Sequence, residues 1–344
     1  MIATVADSGN GGADRGIEKR GTSGGPLKPT VAEILEAQRM LSGYFPPTPL
    51  VRAPGLSQPG VDAFLKLETH LPTGSFKPRG ALFALAQALR SRKVAEVTAS
   101  STGNHGAAVA WAAKTLAVPA TIFLPANPNP VKRKKIADLG ARIVEVGGLD
   151  ITHASAEALD YSSRTGAYFL NDATDPVLPA GPGTIGLEVL SQLPSVRAVY
   201  VPMGDTALIR GIGAAIKAAH PHVKIVGVPA ERAPSYYHSW KEGKPVEVEI
   251  GETCANGLAT KTAVPENVHA IRELVDDVVL AAEEQLLAAI RLLYEREKVV
   301  AEPAGAAAAA AFLEQPPGEG PVVLVVSGAN ISDAVRARAG LPAG

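Results

Sequence analysis

Short apolar runs and amphipathic runs take turns along most of this chain, and that alternation limits the fold more than any other feature. The run Val322-Val-Leu-Val-Val326 is too short for a helix and rich in β-branched residues, so it reads as a strand buried on both faces. The same reading predicts strands at 63–67, 97–100, 120–124, 141–146, 198–202 and 223–228. Helices are predicted between them, at 78–89, 104–116, 131–139, 151–164 and 207–219, then at 283–297 and 304–313. Pro78 is acceptable in a first helical turn, where its missing N–H has no partner to lose. Thr30-Val-Ala-Glu33 has the form of a capping box, so an earlier helix is expected to start there. Strand and helix joined this often by short connections require parallel sheets with helices on both faces. Ligands of such sheets bind at the carboxyl ends of the strands. The stretch 235–267 has weak periodicity and many charges, and a long excursion is expected there.

Composition removes several classes of function. The 344 residues can bury a large core, and 46% hydrophobic against 19% charged residues suits a compact globular protein. Lys plus Arg (33) nearly cancel Asp plus Glu (34), which gives no basis for a nucleic-acid partner or an anionic membrane surface. The one cysteine, Cys254, cannot form an internal disulfide, and nothing near it in sequence activates a thiol. No apolar run reaches the roughly 18–20 residues that span a bilayer. Residues 1–29 are rich in Gly, Ser, Asp and Arg and lack the apolar segment of a secretory signal. They are expected to form a disordered tail, and the protein is expected to be soluble and cytoplasmic.

Four segments carry the chemistry. In Leu71-Pro-Thr-Gly-Ser-Phe-Lys77-Pro-Arg-Gly80 a lysine follows a turn and opens a helix. The positive end of that helix disfavours an ammonium, so a lowered pKa suited to Schiff-base chemistry is expected of Lys77. The ordinary alternative is a solvated lysine. Ser100-Ser-Thr-Gly-Asn-His-Gly106 lies between a strand and a helix, where hydroxyls and backbone N–H groups make a carboxylate cradle. A plain Ser/Thr helix cap accounts for part of it but not for Asn104 and His105. No second His or Cys stands at ligand spacing from His105, so no metal site is expected there. Val201-Pro-Met-Gly204-Asp-Thr-Ala-Leu-Ile-Arg-Gly211 joins another strand to a helix, and its small residues would let backbone approach a phosphate. It lacks the G-x-G-x-x-G fingerprint of dinucleotide sites. Val326-Ser327-Gly-Ala-Asn330 ends the last apolar strand with a hydroxyl that could meet a heterocyclic nitrogen. A tight capped turn is the alternative for each of the last two.

Taken in order, Ser-Phe-Lys77-Pro-Arg-Gly, Ser-Thr-Gly-Asn104-His-Gly, the Gly204 loop and Ser327-Gly-Ala-Asn resemble the fold-type-II pyridoxal-phosphate (PLP) enzymes, most nearly the threonine/serine dehydratases and serine racemase. Asn256-Gly-Leu-Ala-Thr-Lys261 and Ala301-Glu-Pro-Ala-Gly-Ala306 agree, and the likeness covers about residues 30 to 335. The resemblance implies a tryptophan synthase β-like α/β fold of two three-layer α/β/α domains with twisted, mostly parallel sheets. Residues 30–80 and 178–344 would form the large PLP-binding domain, and 81–177 the small substrate-binding domain. It implies that Lys77 carries PLP as a Schiff base and acts as base at the substrate α-carbon, with Phe76 beside the ring. Asn104 would bond the ring hydroxyl, Gly204, Asp205, Thr206, Ala207 and Leu208 would hold the phosphate, and Ser327 would face the pyridine nitrogen. Ser101, Thr102, Gly103 and His105 would bind the substrate carboxylate.

The implied reaction is β-elimination from L-threonine or L-serine, giving a 2-oxo acid and ammonia, in a homodimer acting on small amino acids. Hydroxyaspartate dehydratase, diaminopropionate lyase, threonine synthase, a dehydratase of compatible-solute breakdown, serine racemase and a non-catalytic binding protein of the same fold remain as alternatives. Three departures stand out. The phosphate loop reads Gly204-Asp-Thr-Ala207 where four glycines are expected, so Asp205 would have to turn away or pair with a cation such as Arg210. Thr102 stands where the racemase places a catalytic serine and dehydratases usually an alanine. Pro229 occupies the position of a metal-binding carboxylate, although Glu231 is close by, and no metal is expected. No effector-binding domain is expected after residue 330.

Overall fold

The structure, a computed structural model, describes residues 27–101, 103–126, 128, 130–147 and 151–342. The chain runs α1 (Val31–Leu41), β1 (Leu50–Arg52), β2 (Ala63–Leu67), α2 (Lys77–Ser91), β3 (Val97–Ser100), α3 (Asn104–Thr115), β4 (Ala120–Pro125), α4 (Pro130–Asp138) and β5 (Arg142–Val146). It continues α5 (Ile151–Thr165), β6 (Tyr168–Phe169), α6 (Ala180–Gln192), β7 (Ala198–Pro202), α7 (Ala207–Ala219), β8 (Lys224–Val228), α8 (Ser235–Glu242) and α9 (Pro265–Leu274). It ends β9 (Asp277–Val278), α10 (Glu283–Glu297), α11 (Pro303–Glu314), β10 (Val322–Val326) and α12 (Asp333–Arg338).

Among the described residues the strands form two sheets. One has the order β1-β2-β10-β7-β8-β9, with β1 antiparallel to β2 and the other pairs parallel. The other, β5-β4-β3-β6, is parallel throughout. The larger sheet is buried on both faces, as its continuous apolar strands require. Val323 and Val325 of β10 join the core beneath α1, α2, α6 and α7, while Val322, Leu324 and Val326 join the core beneath α10 and α11. β7 divides in the same way, with Val199 and Val201 on one side and Ala198 and Tyr200 on the other. The period of two in the strands thus builds three layers. Ala306 to Ala311 of α11 are all buried, so the alanine run is a close-packed helix.

The expected helices and strands all form, with ends shifted by a residue or two. The capping box is present: Thr30 Oγ1 accepts from the Glu33 N–H at 3.2 Å and the Glu33 carboxylate accepts from the Thr30 N–H at 2.7 Å. Helix α6 was not expected, because its sequence opens Ala180-Gly-Pro-Gly183. Its glycines serve contact. A Cβ on Gly181 would lie 2.3 Å from the Arg79 carbonyl oxygen in α2, and one on Gly186 would lie 2.9 Å from the Ile212 carbonyl oxygen in α7. Gly211 meets the Pro179 carbonyl oxygen in the same manner, at 2.4 Å. Within the 235–267 stretch, α8 and a short turn at Asn256–Leu258 form, and the remainder is irregular. Most of the expected tail lies outside the described residues. Residues 27–29 lie against the core: the Leu27 carbonyl accepts from Arg210 Nη1 at 2.6 Å, and Lys28 pairs with Glu273 of α9.

A buried ionic network ties α2 to the larger sheet. Arg79 donates from Nε to Glu68 at 2.8 Å and from Nη1 to Glu188 at 2.6 Å, and Lys66 Nζ reaches the same Glu188 at 2.5 Å. Thr48 and Gln192 supply further hydrogen bonds to it. Two cations face two carboxylates, and charges this deep persist only when paired and hydrogen-bonded.

Candidate active site

The carboxyl ends of β2, β3, β6, β7 and β10 carry the loops that build one site. The loop after β2 is stitched to the loop after β10: the Phe76 N–H donates to the Ser327 carbonyl at 3.0 Å and the Ala329 N–H to the Gly74 carbonyl at 2.9 Å. Gly74 takes φ +70, a conformation that favours glycine. This pairing sets Lys77 at the first turn of α2, its Nζ 5.2 Å from the Phe76 ring centre. Ser327 is buried, and its hydroxyl has only a 3.4 Å contact with the Ala304 carbonyl.

Lys77 does not stand alone. Its Nζ donates to Asp172 Oδ2 at 2.5 Å, and both side chains are 17% exposed. The expected lowering of its pKa is reversed: burial pulls it down, but Asp172, Asp205 and Glu302 together raise it above the ordinary lysine value. Three carboxyls near one amine outweigh both the desolvation and the helix end. Burial opposes ionisation of Asp172 as well, but His105 and Lys77 hold its carboxyl well below the usual range. His105, buried on α3, has Nε2 2.8 Å from the Leu170 carbonyl, so Nε2 carries the proton. Its Nδ1 lies 3.8 Å from Asp172 and has no hydrogen-bond partner.

Asn104 is engaged on both sides. Its Nδ2 donates to Glu302 Oε1 at 2.5 Å, and its Oδ1 accepts from Asn330 Nδ2 at 2.6 Å. Lys135 of α4 reaches over from the smaller sheet to Asn330 Oδ1 and the Thr73 carbonyl, each at 2.7 Å. At the start of α3, the Ser101 hydroxyl accepts from the Gly103 N–H at 3.1 Å. Thr102 lies outside the described residues.

The Gly204 loop closes the site from β7. Gly204 has no room for a side chain, since a Cβ would lie 2.5 Å from the Gly257 carbonyl oxygen. Thr206 adopts φ +69 just ahead of α7, and its buried hydroxyl has no partner. Ala207 and Leu208 are buried in the first turn, whose N–H groups point out of the helix end. Asp205 does not pair with Arg210, as one expectation had it. Arg210 is wholly buried and donates instead to the Leu27 carbonyl and, at 3.3 Å, to the Ala173 carbonyl. Asp205 has a 3.4 Å contact with the Thr260 hydroxyl, and burial, then Asp172, raise its pKa.

These residues fit a phosphorylated aldehyde. A lysine amine is available to the aldehyde, and a partnerless hydroxyl with a free helix end is available to the phosphate. Burial and Asp172 shift the Asp205 carboxyl toward its neutral form, which lessens the repulsion expected beside an anion. Elsewhere, Cys254 is half-buried, and burial and Glu283 push its thiol up to about 12, which leaves it inert. Among the described residues, no three His, Cys, Asp or Glu side chains gather as a cation site, Glu231 included. A surface cavity of about 520 Å³, lined by Pro194, Arg197, His222 and Glu319, lies at the opposite ends of the strands.

Asp172 and Lys135 were missed from the sequence. Asp172 follows a two-residue strand, too short to signal a strand end, and only that position would have singled it out.

Residues 41–328 match the family described as "Pyridoxal-phosphate dependent enzyme". The L-threonine ammonia-lyase of Geobacter sulfurreducens is 41% identical over 224 residues, which is 65% of this chain and 56% of the relative. That of Thermotoga maritima is 39% identical over 255 residues, 74% of this chain and 63% of the relative. The matched part thus spans less than two thirds of either relative's length. The structure of maize serine racemase superposes with TM-score 0.83 at 28% identity, covering 91% of this chain and 97% of that one.

Proposed function

Because this chain belongs to the pyridoxal-phosphate-dependent enzymes, we propose that it removes the β-hydroxyl of a small hydroxy-amino acid, L-threonine or L-serine, and yields a 2-oxo acid and ammonia. The observation that carries this is Lys77, a largely buried amine at a helix start where five strand ends meet, with an orphaned hydroxyl and a free helix end in the same site. The ammonia-lyase relatives support the threonine reading over other reactions on this fold.

Pyridoxal phosphate, when bound, supplies an aldehyde for an amine and a ring that accepts electron density from a substrate α-carbon. Lys77 would hold the aldehyde carbon and, once freed by the substrate amine, would take the α-proton. Phe76 would pack beside the ring. Gly204, Asp205, Thr206, Ala207 and Leu208 would hold the phosphate through backbone N–H groups and the Thr206 hydroxyl. Asn104 would turn its amide from Glu302 or Asn330 to the ring hydroxyl. Ser327 would offer a neutral hydroxyl to the ring nitrogen, and a hydroxyl does not keep that nitrogen protonated as a carboxylate does. The weaker electron demand suits elimination. Ser101, Thr102, Gly103 and His105 would bind the substrate carboxylate and align the α C–H bond, where orientation contributes most to rate.

The two sheets support a large domain of residues 30–80 and 178–344 and a small one of 81–177, with the site between them. A cytoplasmic homodimer completes the reading. No helix among the described residues is long and apolar enough to cross a membrane. Similarity to maize serine racemase favours racemisation as the second reading. The test is to supply L-threonine, L-serine, hydroxyaspartate and phosphohomoserine to the holoenzyme, measure 2-oxo acid, and follow D-serine by chiral separation. Oxo acid from threonine or serine, abolished by Lys77→Ala together with the visible band of the bound cofactor, is expected. A Lys77→Ala protein with substantial oxo-acid production would overturn the assignment.

A further inference from the structure

The loop that presents Asp172 is a built feature. The Asn171 side chain accepts from the Ala173 and Thr174 N–H groups at 2.9 and 3.1 Å. Asp175 accepts from the Val177 and Leu178 N–H groups, each at 2.9 Å, and from the Tyr168 hydroxyl. From the larger sheet's side, Asn267 Nδ2 and Arg210 Nη2 both donate to the Ala173 carbonyl, at 2.9 and 3.3 Å. The backbone on both sides of Asp172 is pinned, and its Oδ2 accepts from the Lys77 amine.

We propose that Asp172 is a positioning residue that stabilises the ammonium form of Lys77 over the neutral amine whenever that amine is not bonded to carbon. This rests on the reading of Lys77 as the cofactor-bearing lysine. Two consequences follow, of opposite sign. To capture the aldehyde, Lys77 must first give its proton to solvent. The neutral amine then adds to the aldehyde carbon, the C–N bond becomes a double bond, and the aldehyde oxygen leaves as water. Asp172 opposes the first of these events and slows capture. In turnover the freed Lys77 takes the α-proton, and the electron pair of that C–H bond passes into the cofactor ring. Asp172 stabilises the ammonium so formed, and a base whose conjugate acid is stabilised is a stronger base. The groups facing Lys77 are Asp172 from the loop after β6, His105 from α3, Asp205 from the loop after β7, and Glu302 ahead of α11. Asp172 alone of these is within hydrogen-bond distance.

The experiment mixes cofactor-free enzyme with saturating pyridoxal phosphate and follows the visible band against pH by stopped flow. In the wild type, capture is expected to rise about tenfold per pH unit up to about pH 10, because the neutral amine fraction grows that way below its pKa. A plateau reached below about pH 9 would overturn the proposal, whatever any variant does. Asp172→Asn is expected to capture about tenfold faster at neutral pH, while kcat for oxo-acid formation falls by a similar factor with KM little changed. Asp172→Glu should restore the wild-type pH dependence. Capture by Asp172→Asn at the wild-type rate and pH dependence would refute the proposal. Capture that persists in Lys77→Ala would instead remove the underlying reading of Lys77.

Discussion

Glu188→Ala tests the buried network that anchors α2. In the intact protein, Lys66 and Arg79 are balanced by Glu68 and Glu188, with every member nearly solvent-free. Removing Glu188 leaves Arg79 its two bonds to Glu68, at 2.8 and 3.0 Å, but leaves Lys66 with the Thr48 carbonyl and the Gln192 amide oxygen only. The surplus charge sits on Lys66, whose pKa burial already lowers against the pull of Glu188 and Glu68. Breaking a buried pair from one side costs about 3–5 kcal/mol. An independent bound agrees: a lysine forced to be neutral when folded at pH 7, against about 10.4 unfolded, costs about 4–5 kcal/mol. The sign follows from proton counting. The unfolded chain of the variant binds more protons than the folded one, so its stability rises with pH up to the unfolded lysine value. Urea unfolding is therefore expected to show a loss of about 3–5 kcal/mol at pH 7 that shrinks toward about pH 10. The double variant Lys66→Met/Glu188→Leu should recover most of it, because apolar residues of similar size replace buried pairs at little cost. A loss below about 1 kcal/mol, or one unchanged by pH and by the second substitution, would refute the reasoning.

Other expectations concern the site. Ser327→Ala should lower kcat by about tenfold and no more, the worth of one neutral hydrogen bond; complete loss in a folded, cofactor-loaded variant would contradict a neutral ring nitrogen. Asp205 has a raised pKa, so its neutral form is present below that value and is lost as pH climbs through it. Affinity for pyridoxamine phosphate, which has no aldehyde to engage Lys77, should accordingly fall as pH rises above the ordinary carboxylate range. Asp205→Asn should flatten that dependence, and matching profiles for the two proteins would remove Asp205 from the phosphate site.

The larger elements were legible because short β-branched apolar runs such as Val322–Val326 and the helical spacing of the segments between them each favour one conformation. The motif at Lys77 was legible because a lysine, a turn and a helix start are contiguous in the chain. Helix α6 was hidden, since the glycines and proline that usually break helices serve here for contact with α2 and α7, a tertiary demand that local propensity does not express. The charge state of Lys77 was misjudged for a similar reason. The helix end was visible in sequence, but Asp172, Asp205 and Glu302 come from three distant loops. Arg210 was read as a partner for Asp205 from their spacing, whereas the fold spends its guanidinium on two backbone carbonyls.

The glycines of α6 bear on tolerance to change well away from the reacting atoms. On one side this helix rests on the first turn of α2, two residues beyond Lys77, and on the other on α7 at Gly211, Ile212 and Ala215, in the helix that Thr206 precedes. It acts as a spacer whose thickness is that of bare backbone. A single methyl group at position 181 or 186 would wedge the amine apart from the anion cradle, so the gauge of the catalytic gap is kept by side chains that are not there.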